Sequence, residues 1–306
     1  MRFPALATEI ADERYAGLDT WADDAILAAL LEGQKRALAS VEAAIPALAR
    51  AAAAGAGAIE AGGRLVYLAS GSPALMSLAD ALEVPQTYGL TEAQIVLVLS
   101  ENEITQRLNG TREDDADAAR AEVAAQRIGP KDCVIATSAS GTTPFTLAGL
   151  RAAKAAGAIT IGIAGNPDTP LLVDADIAVL LAAGPEVISG STRMGAGTAQ
   201  KAALNMLSTL IGVRLGHVHD GLMVNVKADN EKLRGRSARI IMRITGVGES
   251  RARETLELSG GEVKPAILMA AGAADLAMAE QLLGSTKGNV RAALASLAGA
   301  TTPALN

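Results

Sequence analysis

The sequence predicts a doubly wound α/β fold, in which helices flank a parallel sheet of five strands. Two observations lead to this prediction: short apolar runs recur between residues 64 and 182, and helical stretches alternate with them. Uninterrupted apolar runs are typical of strands buried on both faces of a parallel sheet. Because strand–helix–strand alternation forms right-handed crossovers, we expect ligands at the carboxyl ends of the strands.

The strands and their connecting helices can be assigned in chain order. Helices are predicted at 73–83, 113–127 and 144–157, where alanine-rich or acidic stretches separate the apolar runs. Pro144 marks a helix start, since a proline at the first helical position sacrifices no hydrogen bond. The predicted strands are RLVYLAS (64–70), IVLVLS (95–100), CVIATSAS (133–140), ITIGIAG (159–165) and DIAVLLA (176–182).

Helical segments also precede and follow the predicted sheet. Residues 20–61 form one long alanine-rich helical region, and the stretch after residue 203 is interpreted as helix with a connector. From about Gly246 onward, four short helical periods are separated by glycines, which predicts a small bundle. The predicted organisation is an N-terminal helical region over 1–55, a ligand-binding α/β domain over 56–235 and a helical C-terminal module over 236–306.

Composition excludes several classes of function. The 306 residues carry a net charge of −6, and no basic stripe or aromatic platform is evident, so a nucleic-acid partner is not expected. No membrane span or secretory signal is evident, which predicts a soluble cytoplasmic protein. The lone Cys133 is interpreted as buried filler, and His217 and His219 are too few to complete a zinc site. Neither a dinucleotide-binding nor a P-loop motif is present, so no cofactor is predicted.

A hydroxyl-rich loop follows the third predicted strand, in the segment SASGTTPFT (138–146). Hydroxyls and backbone amides that converge beside a helix start can bind a phosphate group. The alternative is an ordinary polar turn that caps the helix. The candidate ligand residues are Ser138, Ser140, Gly141, Thr142 and Thr143.

A second anion-binding pattern lies at 184–201, GPEVISGSTRMGAGTAQK. A glutamate on a Gly-Pro turn and a Ser/Thr/Gly loop with an arginine lead directly into an apolar helix. The amino end of a helix favours negative charge through its free N–H groups and its dipole. A well-capped helix without a ligand is the alternative interpretation. The candidates are Glu186, Ser189, Ser191, Thr192 and Arg193.

The wording of 184–201 resembles the signature of the N-acetylmuramic acid 6-phosphate etherase family, which glucokinase regulatory proteins share. The arginine of that signature corresponds to Arg193, and its closing Ala-Gly-Thr-Ala-Gln-Lys to Ala196–Lys201, whereas Gly195 stands where a lysine is usual. The resemblance covers nearly the whole chain. It implies a flavodoxin-like sugar isomerase (SIS) domain, a phosphosugar ligand and a homodimer in which a second chain completes the pocket.

The same resemblance assigns a phosphate-binding role to two loops. In the loop after the first strand, Gly71 and Ser72 match the start of the family's Gly-Thr-Ser-Gly-Arg run, but 73–75 does not preserve its Ser-Gly-Arg part. In the loop after the third strand, Thr142 replaces the arginine of Ala-Ser-Gly-Arg-Thr-Pro. Two cations that could meet a phosphate are therefore absent from these loops.

Two glutamates match the catalytic acids of the family by position. Glu83 lies in DALEVPQTYG (80–89), and Glu113 lies in GTREDDAD (110–117) at a spacing about one residue different from the usual one. Without the resemblance, Glu83 is interpreted as a solvated charge at a helix end and Glu113 as part of an acidic first helical turn. Glu186 would assist ring opening or orient a hydroxyl, by analogy with other sugar isomerase domains.

The function that the resemblance implies is a lyase that cleaves the lactyl ether of N-acetylmuramic acid 6-phosphate. A carboxylate poised near the operating pH would move the protons, without a cofactor. Two alternatives remain open: a phosphosugar-binding regulator without catalysis, and an aldose–ketose isomerase, which also begins by removing the C2 proton.

Overall fold

The computed structural model describes residues 6–100, 112–226, 228 and 230–301. Their contacts divide the chain into two compact units. The first unit comprises the described residues of 1–82 and 91–208, and the second those of 83–90 and 209–301. The predicted domain boundaries at 55 and 235 fall inside helices of 38 and 15 residues, Asp23–Glu60 and Glu231–Thr245.

The first unit is built on a parallel sheet with the strand order β2-β1-β3-β4-β5. This order is that of flavodoxin-like folds, in which the chain reverses direction across the sheet between β1 and β3. Every residue of β1 and β3 is buried, as expected of apolar strands covered on both faces. All five predicted strands are confirmed: β1 (Leu65–Ala69), β2 (Ile95–Leu99), β3 (Cys133–Ser138), β4 (Ile159–Ala164) and β5 (Ile177–Leu180).

Helices follow the strands as predicted. Neighbouring residues determine where two of these helices begin. The Asp115 side chain accepts a hydrogen bond of 2.9 Å from the Ala118 N–H, and Pro144 occupies the first turn of its helix. One single-turn helix, α5, was not indicated by the sequence pattern. The helices that connect the strands are α2 (Ser72–Tyr88), α3 (Ala116–Ala125), α4 (Pro144–Ala155) and α5 (Pro170–Asp174).

The long helix α1 (Asp23–Glu60) precedes the sheet and packs against β1, β3 and β5. By length and composition alone it could cross a membrane, and it is the one such helix among the described residues. Its sequence nevertheless includes five charged residues between 32 and 50, and one face is buried in the unit. That face consists of small and branched apolar side chains, including Ala37, Val41, Ala44, Leu48 and Ala51.

A buried carboxylate ties α2 to the centre of the sheet and to α6 (Gly195–Arg214). Asp80 is 1% exposed and accepts hydrogen bonds from Tyr67 on β1 at 2.8 Å and from Asn205 and Ser208 on α6 at 2.6 and 3.0 Å. Burial raises the pKa of Asp80, and the three donors oppose that rise. Because these donors belong to two other elements, the carboxylate sets the position of α2 within the first unit.

The second unit is mainly helical, as predicted for the tail, but it also contains a short hairpin. The strands β6 (Val218–His219) and β7 (Leu222–Met223) pair antiparallel where helix and connector were expected. No basic stripe was expected from the sequence, and this expectation is wrong. The exposed face of α7 (Glu231–Thr245) carries one, formed by Lys232, Arg236, Arg239 and Arg243. The helices that lie wholly within this unit are α7 (Glu231–Thr245), α8 (Glu249–Leu258), α9 (Val263–Ala270), α10 (Leu276–Ser285) and α11 (Val290–Thr301).

One lysine of the second unit is buried in this helical module. Lys264 on α9 is 8% exposed, and no described carboxylate forms an ion pair with it. Desolvation lowers the pKa of Lys264 to about 8. His217 is also partly buried, and its pKa is lowered to about 4 by desolvation and then by the charge of Lys264. Both basic groups therefore oppose folding when they are protonated.

We expect Lys264→Met to raise the free energy of unfolding at pH 7. Because the folded pKa of about 8 lies below the ordinary 10.5, the unfolded chain binds more protons between these values, so wild-type stability rises with pH across that window. Below about pH 8 the full cost is present, on the order of 3 kcal/mol. Urea unfolding at pH 7 and pH 10 checks this. Exposed Lys131→Met is the control, and equal pH dependence in wild type and Lys264→Met would contradict the assignment.

Candidate active site

The predicted hydroxyl loop lies at the carboxyl end of β3, as expected. Ser138 is the last residue of the strand, and its Oγ accepts the Gly141 N–H at 3.0 Å and lies 2.9 Å from the Thr143 Oγ1. Ser140 Oγ accepts both the N–H and the hydroxyl of Thr142, at 3.2 and 3.1 Å. The structure therefore brings all five candidate residues of this loop together immediately before α4. Below, residues 138–143 are called the phosphate loop, after the role that the sequence predicts for them.

Glycine at 141 is required by the close packing of this loop. Gly141 has a φ of +78°, and its carbonyl accepts the Leu171 N–H at 3.1 Å. A Cβ at this position would collide with the side chain of Thr169. The turn therefore combines a left-handed backbone with a contact to the loop after β4, and both features exclude larger residues.

The loop after β1 meets Glu113 at the same edge of the sheet. A Cβ at Gly71 would lie 2.6 Å from a carboxylate oxygen of Glu113, so only glycine, here with φ +64°, permits this approach. The Glu113 carbonyl accepts the Phe145 N–H at 3.0 Å, which places Glu113 beside the first turn of α4. Ser72, the first residue of α2, follows directly and is partly buried.

Two residues at this edge were not selected from the sequence. Ser70 and Ser100 follow the ends of β1 and β2, are each 3% exposed, and their hydroxyls are 2.8 Å apart. Their signal was available, since both apolar runs end in serine. Because neighbouring parallel strands end side by side, a serine after each end predicts such a pair.

Glu186 is directed at the amino end of α6. Its carboxylate accepts the Gly195 N–H at 2.9 Å and the Ala196 N–H at 2.8 Å, and the residue is 5% exposed. A Cβ at Gly195 would lie 2.9 Å from Glu186 Oε2 and 3.1 Å from the Cβ of Ala37 on α1. The glycine that replaces the expected lysine therefore permits this close approach. Two anion-binding amides of the helix are occupied by the protein's own carboxylate.

The remaining candidates of this segment form a tight turn before α6. Residues 186–193 are called the signature loop below. Ser189 Oγ donates to the Glu9 carbonyl at 2.9 Å, and the Ser191 and Thr192 N–H groups donate to the carbonyls of Ile188 and Gly190 at 2.9 and 3.0 Å. Arg193 is exposed, and no ion pair of its guanidinium is present among the described residues.

Glu83 lies near the carboxyl end of α2, in a segment that belongs to the second unit. Its side chain is exposed, and its carbonyl accepts the Thr87 hydroxyl at 2.8 Å. Glu113 belongs to the first unit and is partly buried. Catalytic roles for both glutamates, and ligand roles for the loop residues, stay predictions.

The side chains at this edge also bear on metal binding. In the part of the chain that the structure describes, no three His, Cys, Asp or Glu side chains are grouped so that they could hold a metal ion. The arrangement offers hydroxyls, backbone amides and carboxylates. Such groups can bind a phosphate ester and transfer protons.

Comparisons with known proteins identify the family of this chain. A model of the SIS domain matches residues 114–210, which include β3, the phosphate loop and the signature loop. N-acetylmuramic acid 6-phosphate etherase from Deinococcus radiodurans is 45% identical over 264 residues, covering 86% of this chain and 86% of that protein. The chain belongs to the N-acetylmuramic acid 6-phosphate etherase family.

A further relative extends the match over almost the whole chain. The N-acetylmuramic acid 6-phosphate etherase from Serratia proteamaculans is 37% identical over 296 residues, 96% of this chain and 99% of that protein. Among solved structures, a phosphoheptose isomerase from Francisella tularensis is similar over 64% of this chain and 98% of its own, with 18% identity and a TM-score of 0.47. The two relatives confirm the family resemblance, and the parallel strand order of the sheet confirms the doubly wound fold.

In this etherase-family chain, we expect Glu186→Gln to lower stability. The amide would present one oxygen and one NH₂ group where two backbone N–H groups need acceptors, and a hydrogen bond to a charged group is worth about 1.5–3 kcal/mol. Urea unfolding should show a loss within that range. Exposed Glu60→Gln is the control. Unchanged stability with a large loss of activity would instead assign Glu186 to the chemistry.

Proposed function

We propose that this protein is a carbon–oxygen lyase that converts N-acetylmuramic acid 6-phosphate to N-acetylglucosamine 6-phosphate and D-lactate. The observation that carries the proposal is near full-length identity of 37–45% to proteins named as this etherase. The hydroxyl-rich phosphate loop at the carboxyl end of β3 supports a phosphosugar ligand, since such loops supply donors to phosphate oxygens. We place the protein in the cytoplasm, where a phosphorylated sugar would be met.

The reaction needs only proton transfers and water. In the open-chain sugar the C2 proton is acidic because it lies next to the aldehyde, and its removal leaves an enolate. The enolate expels the C3 oxygen with its lactyl group, which takes up a proton and leaves as lactate. Water then adds to the enal, with its hydroxyl at C3 and a proton at C2, so atoms and charge balance. The scheme routes no step through a cofactor.

Glu83 is assigned as the acid/base residue at C2, and Glu113 as a second carboxylate in the same reaction. Their positions in the family motifs support these roles. The contact of Glu113 with Gly71 adds support, because it places a carboxylate beside a candidate phosphate-binding loop. Proton transfer by a positioned side chain contributes about 10²–10⁴-fold to a rate.

We expect Glu83→Gln to lower turnover by roughly 10²–10⁴-fold while sugar-phosphate binding survives, because the amide keeps the size of the side chain but cannot carry the proton. Glu113→Gln should show a smaller loss. Lactate release measures turnover, and calorimetric titration measures binding. Exposed Glu92→Gln is the matched control, and full lactate release by Glu83→Gln would show that another residue is the base.

Solvent exchange separates the lyase from a regulator. The phosphate loop and the loop after β1 have Thr142 and Leu75 where the family usually has arginines, and this change favours a regulator as the second candidate. In deuterated water, a lyase places deuterium at C2 of its product and releases lactate. A regulator binds without either event, and an isomerase exchanges the proton without releasing lactate.

We further propose that the protein acts as a homodimer that pairs through α1. Four large apolar side chains of this helix are exposed. They are spaced by four, seven and seven residues, so they lie on one face of the helix. Such a stripe is typical of a helix that packs against another helix. A second copy of the chain supplies the same stripe in a two-fold pair. The stripe consists of Leu27 (66% exposed), Leu31 (56%), Leu38 (50%) and Ile45 (47%).

We expect the double variant Leu31→Arg, Leu38→Arg to be a monomer, because dimerisation would bury the two arginines of each chain against the same stripe of the second copy. Light scattering at micromolar concentration measures the mass. Val173→Arg is the control, since Val173 is 70% exposed on α5 and lies outside the stripe. A wild type that is monomeric and fully active at that concentration would contradict the dimer.

A further inference from the structure

The N-terminal segment, residues 6–10, lies between the phosphate loop and the signature loop of the first unit. It forms a short 3-10 turn, Ala7–Glu9, closed by hydrogen bonds from Glu9 N–H to Leu6 O at 2.9 Å and from Ile10 N–H to Ala7 O at 3.3 Å. Its central residue, Thr8, is 2% exposed although it stands near the start of the chain. A buried polar residue in such a terminal segment calls for specific partners.

The first set of partners is supplied by Asn166, in the loop after β4. Its Oδ1 accepts the Ala7 N–H at 2.8 Å, and its Nδ2 donates to the carbonyls of Ala139 and Ser140 at 3.3 and 3.2 Å and approaches the Thr8 Oγ1 at 3.4 Å. Asn166 is itself 2% exposed. One amide side chain therefore joins the N-terminal segment to the backbone of the phosphate loop.

The second set of partners belongs to the signature loop. The Thr8 carbonyl accepts the Gly190 N–H at 3.0 Å, and the Glu9 carbonyl accepts the Ser189 hydroxyl at 2.9 Å. Gly190 has a φ of +75°, and a Cβ there would lie 3.2 Å from a carboxylate oxygen of Glu9. The signature loop is thus fitted closely against the N-terminal segment.

These contacts form one continuous path between the two loops. It runs from Ser140 through Asn166 and Thr8 to Gly190. A buried amide that loses a partner costs free energy, so the path resists being opened at either end. The N-terminal segment therefore bridges the two loops, although it is distant from both in sequence.

We propose that Asn166 and the N-terminal segment are positioning elements for the sugar phosphate, which hold the phosphate loop and the signature loop at the spacing that the ligand needs. The inference rests on the proposed function, because it takes the ligand to be a sugar phosphate. Neither element needs to touch the ligand. Their effect is on affinity, since loops that are already in place lose less entropy on binding.

The test compares Asn166→Ala and a variant lacking residues 1–10 with the wild type. Titration with N-acetylglucosamine 6-phosphate should give a dissociation constant raised about 10-fold in both variants, within the usual range of coupling between sites. KM for N-acetylmuramic acid 6-phosphate should rise in parallel while kcat changes little. Ser140→Ala, within the phosphate loop, should weaken binding similarly, and in combination with Asn166→Ala the effects should not add.

A matched control removes a hydrogen bond at the opposite end of β4, the strand that precedes the loop of Asn166. Thr160, at the start of β4, is fully buried, and its hydroxyl donates to Asp176 at 2.7 Å. Thr160→Val should lower stability without raising the dissociation constant. An Asn166→Asp variant, which keeps the acceptor for Ala7 but loses the donor to the phosphate loop, should weaken binding as Asn166→Ala does.

Hydrogen exchange of the wild type tests the same coupling without any variant. Coupling between sites is reciprocal. If N-acetylglucosamine 6-phosphate binds best when the phosphate loop and the signature loop are held in place, its binding should also slow amide exchange in residues 6–10. No slowing, or dissociation constants for the Asn166 variants equal to that of Thr160→Val, would overturn the inference. Lactate release with unchanged binding in the variants would leave the proposed lyase intact and overturn the inference alone. Binding that depends on Asn166, together with no lactate release by the wild type, would overturn the proposed lyase and leave the inference intact.

Discussion

The parallel register of the sheet is the constraint on which the candidate site depends. β1 pairs with β2 and β3, and β4 with β3, residue against residue along their whole lengths. Since every strand runs the same way, the loops that follow them emerge at one edge. The edge therefore brings together Ser70, Ser100 and Ser138, which are far apart in sequence. The apolar strands carry no chemistry themselves, but they decide which polar residues meet.

Polar groups at this edge are largely satisfied by one another, which gives the site a defined shape. The hydroxyls of the phosphate loop bond within the loop, and Glu113 lies against Gly71. The two helix starts at this edge differ in what they offer. Glu186 occupies the first amides of α6, whereas α4 begins behind a cluster of hydroxyls. Because the Gly195 and Ala196 N–H groups of α6 already donate to Glu186, a phosphate group is better accommodated beside the hydroxyls that precede α4.

The fold was predictable because its signals are local. Each strand is a short apolar run bounded by turn residues, and each boundary agreed with the structure within about two residues. The phosphate loop followed from its position after a strand and before Pro144. The short hairpin β6–β7 was missed because two-residue strands have no periodicity. The basic stripe of α7 was missed because the bounds of that helix, within a stretch assigned to helix and connector, were not predicted.

The sequence by itself determined the order of strands and helices along the chain, the location of the hydroxyl-rich loops and the family to which the chain belongs. These features depend on residues that are close together in sequence. The tertiary structure decided which distant residues complete the site. Asn166 contacts Ala7 across 159 positions, and Glu186 accepts the first N–H groups of a helix that begins nine positions later. Contacts of this kind satisfy buried donors and acceptors, and which groups are buried is known only when the chain has folded.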